Sequence, residues 1–336
     1  KTGEGKAPES PKTARGANFR CLACEQPVND KHIKAEGKAG QMDSQLMAIV
    51  AEGKKGRIYL SPTSEHEEIA KTAQPTWYPD GQISDDRRSM FTPLYGLTHF
   101  HHLFTSRQLV ALTTFSDLVS EVREKVKVDA VAAGMTDDNL SLNDGGTGAT
   151  AYADAVATYL AFIVDQLANH LSSICSWNSV NEQMRNVFAR QAIPMTWDFA
   201  ESNPFCESSG SYHNLFERLI KGISELPSCL SVGITKQIDA TTSDLYGKSI
   251  VVSTDPPYYD NIGYADLSDF FYVWLRRSIG SIYPDIFKTL LVPKVQELVA
   301  IPYRFGGSKQ KAKEFFEEGL SKTFKRMREM AHDGYP

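Results

Sequence analysis

The sequence predicts an α/β protein: part of a doubly wound, Rossmann-like sheet with a large, mostly helical insertion. Three observations predict it. Apolar residues recur every three or four positions between residues 103 and 171, the spacing of long helices. A β-branched run at 250–254, Ile-Val-Val-Ser-Thr, has the composition of a strand buried on both faces. Beyond residue 212 the patterns run helix, strand, strand, loop, helix, the order of half such a sheet. The chain has 336 residues, about two domains' worth at roughly 150 residues each. With 41% apolar and 23% charged residues it can build a packed core, which excludes wholesale disorder.

Taken in order, residues 1–18 are rich in Lys, Gly, Pro and Ser and read as a flexible lead-in. Residues 19–62 read as short strands and turns around Cys21-Leu22-Ala23-Cys24. Residues 61–89 are polar and turn-rich, with Pro62, Pro75, Pro79 and Gly81. Helices are expected at 103–126 and 152–171, the second apolar nearly all round and therefore buried. The loop 137–150 between them ends in Gly145-Gly146-Thr147-Gly148. A third helix is expected at 182–192, then an amphipathic helix at 212–225, a short strand at 232–238 and a buried strand at 250–254. An aromatic-rich helix at 266–278, a loop at 285–307 and a long basic helix at 309–331 complete the pattern. These shifts suggest segments 1–62, 63–211 and 212–336.

The formal charge is −5, far from the strongly basic balance of many nucleic-acid binders. It is uneven: +4 over 1–60, −12 over 61–284 and +4 over 285–329. Basic ends permit contact with a polyanion without demanding it. On the last helix, Lys309, Lys311, Lys313, Lys322, Lys325, Arg326 and Arg328 alternate with Glu314, Glu317 and Glu318, as a solvated face also would. Five cysteines, an odd number with one close pair, argue against a disulfide framework and for a reducing, cytoplasmic compartment. The most apolar stretch, 155–164, is half the length of a membrane span. His99, His101 and His102 offer nitrogen ligands, but no nearby carboxylate in sequence; a polar surface is expected there.

The most specific chemical signal is Ser253-Thr254-Asp255-Pro256-Pro257-Tyr258-Tyr259-Asp260-Asn261, directly after the expected buried strand. Ligands bind there in open α/β sheets, outside the carboxyl ends of strands. Two prolines fix φ and lack N–H donors, so the carbonyls here are free to accept. The Asp255 carboxylate and a proline carbonyl form an acceptor pair suited to the two N–H bonds of an exocyclic amine. Tyr258 adds a flat ring on which an extruded base can stack. A rigid strand-to-loop turn with an N-capping Asp is the alternative reading of the same residues.

Asp255-Pro256-Pro257-Tyr258 resembles the signature of the amino-methyltransferases, which move a methyl group from S-adenosylmethionine to the exocyclic amine of adenine or cytosine in DNA. The longer string from Asp255 to Phe271 resembles one branch, the adenine-specific DNA methylases that contain a zinc ribbon. Two further blocks share that resemblance: Leu103-Phe104-Thr105-Ser106-Arg107-Gln108-Leu109, and residues 188–201, Phe-Ala-Arg-Gln-Ala-Ile-Pro-Met-Thr-Trp-Asp-Phe-Ala-Glu. It extends from about residue 19 to the end.

The resemblance implies a methyltransferase-type sheet, S-adenosylmethionine as cofactor, DNA as partner, and Asp255, Pro256, Pro257 and Tyr258 as catalytic. It matches Asp239 to the acidic position that contacts the adenine end of the cofactor; a strand-end Asp closing a turn is the alternative. It implies that segment 63–211 recognises the target and that the N-terminal segment is zinc-ribbon-like. Cys21 and Cys24 supply one ligand pair where structural zinc usually takes two. Half a ribbon, an unrelated pair and a redox pair stay open for them. The glycine turn that holds the methionine part in such enzymes has one counterpart, residues 143–148, preceded by a stretch too polar for a buried strand. The expectation is therefore a piece of a longer protein, with that turn and the other cysteine knuckle upstream. The same chemistry aimed at cytosine, RNA or a protein amide, and a catalytically incomplete binding module, are the alternatives.

Overall fold

A computed structural model describes residues 11–226, 233, 235–242 and 250–332. Lys12–Ala14 (β1), Asn18–Arg20 (β2) and Pro27–Val28 (β3) form a three-stranded antiparallel sheet. Residues 12–14 are thus paired, where a flexible lead-in is expected. Asp30–Lys38 (α1) follows, its Asn29 side chain accepting from the His32 N–H. Ile49–Gly53 (β4) and Gly56–Leu60 (β5) make an antiparallel hairpin in register from Ile49 opposite Leu60 to Gly53 opposite Gly56. A short helix, Ser64–Lys71 (α2), lies in the stretch expected to be turns alone.

The bulk of the molecule is helical. Ser106–Ala132 (α3) opens with a reciprocal cap: Thr105 Oγ1 accepts from the Gln108 N–H and Gln108 Oε1 from the Thr105 N–H. Ala149–Ala168 (α4) is buried along most of its length, as its all-round apolarity predicts. Ala153, Ala157 and Ala161 have almost no exposed surface, and such small side chains let neighbouring helices approach closely. Tyr212–Ser224 (α5) and Tyr264–Ile279 (α6) pack against α4, and α3 crosses both α4 and α6. Lys309–Met330 (α7) closes the described chain, capped by Ser308.

The principal core lies where α3, α4 and α6 meet. Leu103, Leu112, Ile163, Leu167, Phe270 and Trp274 are buried there. Polar links cross the same layer: Ser116 Oγ meets Ser278 Oγ at 2.9 Å, and Thr158 Oγ1 meets the Tyr283 hydroxyl at 3.0 Å. Arg123 Nε on α3 donates to the fully buried Asp154 Oδ1 on α4 at 2.6 Å. The second Asp154 oxygen accepts from the Leu142 N–H at 2.9 Å, tying the loop between the two helices to α4.

Two expected elements are different. Residues 182–192 are no helix: Ser176–Asn178 (β6) and Gln183–Arg185 (β7) form an antiparallel hairpin, and turns follow. The turn at 178–182, with Glu182 at φ 50° and two N–H bonds onto the Asn178 side chain, breaks the apolar periodicity into a hairpin. The run 250–254 is not a buried strand. It makes a single parallel bridge, Ile250 to Ala331, and Val251 is 67% exposed. A β-branched run becomes a buried strand only between neighbouring strands; among the described residues this one has a single bridge, to the end of α7. The expected strand at 232–238 lies partly outside the described residues, and 235–238 are not in a strand. The described chain is therefore mixed α/β, with seven α-helices and small antiparallel sheets. Among its residues no helix is long and apolar enough to cross a membrane.

Two substitutions test this packing. Arg123→Met strips the partner from a buried carboxylate and is expected to lower unfolding free energy by about 3 kcal/mol, measured by urea denaturation. Asp165 on α4 is buried with Oδ1 unpartnered among the described residues, and burial pushes its pKa well above the ordinary carboxylate value. A raised acid contributes its stability below the unfolded pKa, about 4, and loses it as pH rises. Asp165→Asn is expected to raise stability at pH 7 by about 2 kcal/mol, with the gain gone at pH 4. An equal gain at both pH values would contradict that cause.

Candidate active site

The chain leaves its bridge at Ile250 and runs without regular structure to Tyr258, then turns at Tyr259, Asp260 and Asn261 before α6. Asp255 and Pro256 are exposed and Pro257 is half-buried. Backbone anchors hold the loop from both sides. The Ala300 N–H donates to the Tyr259 carbonyl at 2.8 Å, and the Asn261 N–H to the Tyr258 carbonyl at 3.0 Å. Arg88 Nη1 donates to the Asp260 carbonyl at 2.6 Å. That guanidinium is oriented by the buried Asp86, whose two oxygens accept from Nε at 2.9 Å and Nη2 at 3.0 Å, a bidentate pairing. The Tyr259 ring meets Phe316 of α7 edge-on, centroids 5.2 Å apart.

The far end of the loop is fixed by a buried charge network. Asp266 in the first turn of α6 accepts from the Tyr303 hydroxyl at 2.6 Å and from Arg304 Nη2 at 2.8 Å. Arg304 also reaches Glu297 at 2.7 Å, and Glu297 Oε1 accepts from the Ala265 N–H at 2.9 Å. Burial alone would lower the Arg304 pKa; hydrogen bonds to Tyr303, Asp266 and Glu297 outweigh it and hold it raised. Burial, then the bond to Asp266, pushes Tyr303 up to about 12. A second carboxylate, Asp269, takes Lys294 at 2.7 Å and the Val292 N–H at 2.7 Å. A side chain at Gly263 would press on Asp266 and Ile301 at 2.9 Å, so this position needs glycine for room.

Between this loop and α7 lies a cavity of about 280 Å³. Thr254, Asp255, Pro256 and Pro257 form one wall, and Leu320, Phe324 and Met327 of α7 face them. Ala240 lines it too, which brings the segment carrying Asp239 to the same place. Such a volume is at the lower edge for ligand pockets and suits one flat ring. Tyr258 is 60% exposed and is not among the lining residues. Asp239 Oδ1 accepts from the Thr241 N–H at 2.8 Å and hydroxyl at 2.7 Å, and its carbonyl from the Thr242 N–H. That oxygen closes a turn at the cavity's edge.

The three sequence blocks meet. Arg107 makes a bidentate pair with Glu201, both bonds 3.0 Å, and Thr105 Oγ1 reaches the same carboxylate at 3.3 Å. Phe104 stacks on Phe270 with centroids 5.6 Å apart, and Phe188 meets Phe270 at 5.4 Å.

The glycine loop is already filled from within. Asp137 accepts from the Thr150 N–H at 3.0 Å and its hydroxyl at 2.9 Å, Asp138 from the Thr147 N–H at 2.9 Å. The Gly146 N–H goes to the Ser141 carbonyl. These bonds, the Thr150 N–H first, hold the Asp137 pKa down to about 2. Carboxylates thus occupy N–H groups near the start of α4 that an anionic ligand would use.

Cys21 and Cys24 sit in a tight turn between β2 and β3. The Cys21 N–H donates to the Gln26 carbonyl and the Glu25 N–H returns to the Cys21 carbonyl, both at 2.9 Å, with Glu25 at φ 60°. Backbone hydrogen bonds from Cys24 and Ala23 hold the Cys21 thiol below its ordinary pKa. Among the described residues no group of three His, Cys, Asp or Glu could hold a metal ion. Cys229 lies outside them. The three histidines do converge, because a 3₁₀ turn at Phe100–Leu103 brings the His101 and His102 rings within 4.3 Å. Asp80, distant in sequence, lies 3.8 Å from His101 Nδ1, against the expectation of no carboxylate nearby. His102 Nδ1 accepts from the Thr98 N–H at 3.0 Å.

No family model, curated protein or solved structure matches the chain.

The thiols order themselves by environment. Burial pushes Cys175 up to about 12, and Cys21 is lowered in an accessible turn. Iodoacetamide at pH 7.5, followed by peptide mass mapping, is expected to label Cys21 first and Cys175 last in the native protein. Faster labelling of Cys175 would contradict its burial.

Proposed function

We propose that the chain forms the target-amine half of an S-adenosylmethionine-dependent methyltransferase acting on the exocyclic amine of adenine in DNA. The observation that carries this reading is the acceptor pair of Asp255 and Pro256 on one wall of the cavity, opposite an apolar and aromatic wall. Asp255 and the Pro256 carbonyl accept the two N–H bonds of the amine. That draws the nitrogen lone pair out of the ring so that it can attack. The Asp255 carboxylate then favours the positive charge that develops on nitrogen, an electrostatic role rather than a strong base's. Tyr258, next in the chain after Pro257, offers its exposed ring to the extruded base.

The described residues fit the target side of this chemistry. Ala240, the neighbour of Asp239, lines the cavity, but Asp138 and Asp137 take the Thr147 and Thr150 N–H groups, so the glycine turn at 143–148 offers no open cradle for the methionine part of a cofactor. S-adenosylmethionine, when bound, supplies a methyl group already activated as a sulfonium. Exposed cations of α7, including Lys322 and Lys325, would meet the phosphate backbone.

Labelled S-adenosylmethionine and unmethylated DNA, incubated with a protein that joins the chain to the cofactor-holding half and digested to nucleosides, are expected to yield labelled N6-methyladenine by mass. Asp255→Ala is expected to cut transfer by about a hundredfold or more with the fold unchanged. A full-rate variant would end this mechanism. Label on cytosine would keep the chemistry and change the target, and no label would favour the binding-module alternative.

A further inference from the structure

Phe324 is a large apolar side chain left 52% exposed on a long helix, and it lines the cavity beside the Asp255 loop. Three observations bear on what it meets there. First, Asp255, Pro256 and Pro257, whose carboxylate and carbonyl oxygens can accept, line the same cavity of about 280 Å³. A cavity lined by acceptors and by an aromatic ring suits a planar molecule carrying N–H donors at its edge. Second, the helix that carries Phe324 is held firmly: Ala312, Gly319 and Thr323 are buried, Thr323 Oγ1 returns to the Gly319 carbonyl at 3.0 Å, and Phe316 braces Tyr259. A side chain at Gly319 would collide with Leu298, itself part of the cavity lining, so α7 is seated closely against the cavity floor. Third, Arg328 is one helical turn beyond Phe324 on the same side, exposed and without an ion pair among the described residues. A ring wall with a cation 6 Å further along suits a base joined to a phosphate, at roughly 1.5 Å rise per residue.

We propose that Phe324 is the stacking wall for the bound base, and that the cavity takes an amino-purine nucleotide in single-stranded or extruded form, with Arg328 on its phosphate. This rests on the reading of Asp255 and Pro256 as amine acceptors. It adds a base-holding surface contributed by α7, separate from the ring of Tyr258 on the loop. Base–aromatic stacking tolerates any base, so Phe324 sets affinity for the ring while Asp255 sets the choice for an amine.

The test is equilibrium binding of short single-stranded oligonucleotides with a central 2-aminopurine, whose emission is quenched on stacking. Companion competitors carry adenine or hypoxanthine at that position. Wild type is expected to quench, and to prefer adenine to hypoxanthine. Phe324→Ala is expected to weaken binding about tenfold and lose the quenching, with Phe324→Tyr restoring both. Helix content by circular dichroism checks that each variant is folded, which the half-exposed position favours. Arg328→Gln is expected to weaken binding and flatten its salt dependence while the quenching at saturation remains. Unchanged quenching and affinity in Phe324→Ala overturn the proposal. So does unchanged base binding with a loss of self-association in that variant, which would make the ring a packing surface. Failure of the underlying reading looks different: purines stack on Phe324, but wild type and Asp255→Ala bind adenine and hypoxanthine alike. Absence of any purine binding by wild type overturns both.

Discussion

The buried ring of Phe270 is the contact on which the candidate site depends. It stacks against Phe104 at the entry to α3 and meets Phe188 at right angles, so three chain segments more than eighty residues apart share one core. Trp274, one turn later on α6 and fully buried, extends that contact to Trp77 and Phe104. Aromatic pairs of this kind add roughly 1 kcal/mol each beyond the area they bury. Fixing α6 in turn fixes the loop that enters it.

From that core outward, charge rather than apolar packing governs the geometry. Asp266 and Asp269 lie in the buried face of α6, where isolated carboxylates would be costly. Arg304 and Lys294 meet them, and those cations belong to the segment between α6 and α7. The apolar helix thereby gathers the following loop over its N-terminus. Arg88 does the same from the other side, gripping Asp260 through an orientation set by Asp86. Asp255 and Pro256 are exposed and Pro257 is half-buried, and the loop is tethered at its downstream end.

The glycine loop and the cysteine turn make opposite uses of the same backbone chemistry. In the loop before α4, side-chain carboxylates satisfy the free N–H groups and leave little for a ligand. In the turn at Cys21, backbone N–H groups favour a thiolate, which is the form that binds metal or attacks an electrophile. Whether the donors face inward or toward a sulfur distinguishes a closed turn from an available one.

The sequence by itself determined the long helices α3, α4, α5, α6 and α7, because apolar spacing and caps such as Thr105 with Gln108 are local properties. It also singled out Asp255-Pro256-Pro257, since the fixed φ and missing N–H groups of two prolines need no neighbours. The helix expected at 182–192 failed because Asn178 and Glu182 made a turn stronger than the apolar period. The strand expected at 250–254 failed because a buried strand is defined by the strands it pairs with, and among the described residues its one bridge is to Ala331. Tertiary structure alone decided that Ala240, Leu298 and Phe324 share a cavity with Asp255. Their sequence distances carry no signal, and the stripe of Leu320, Phe324 and Met327 reads as ordinary helix packing until Asp255 is seen to share its cavity.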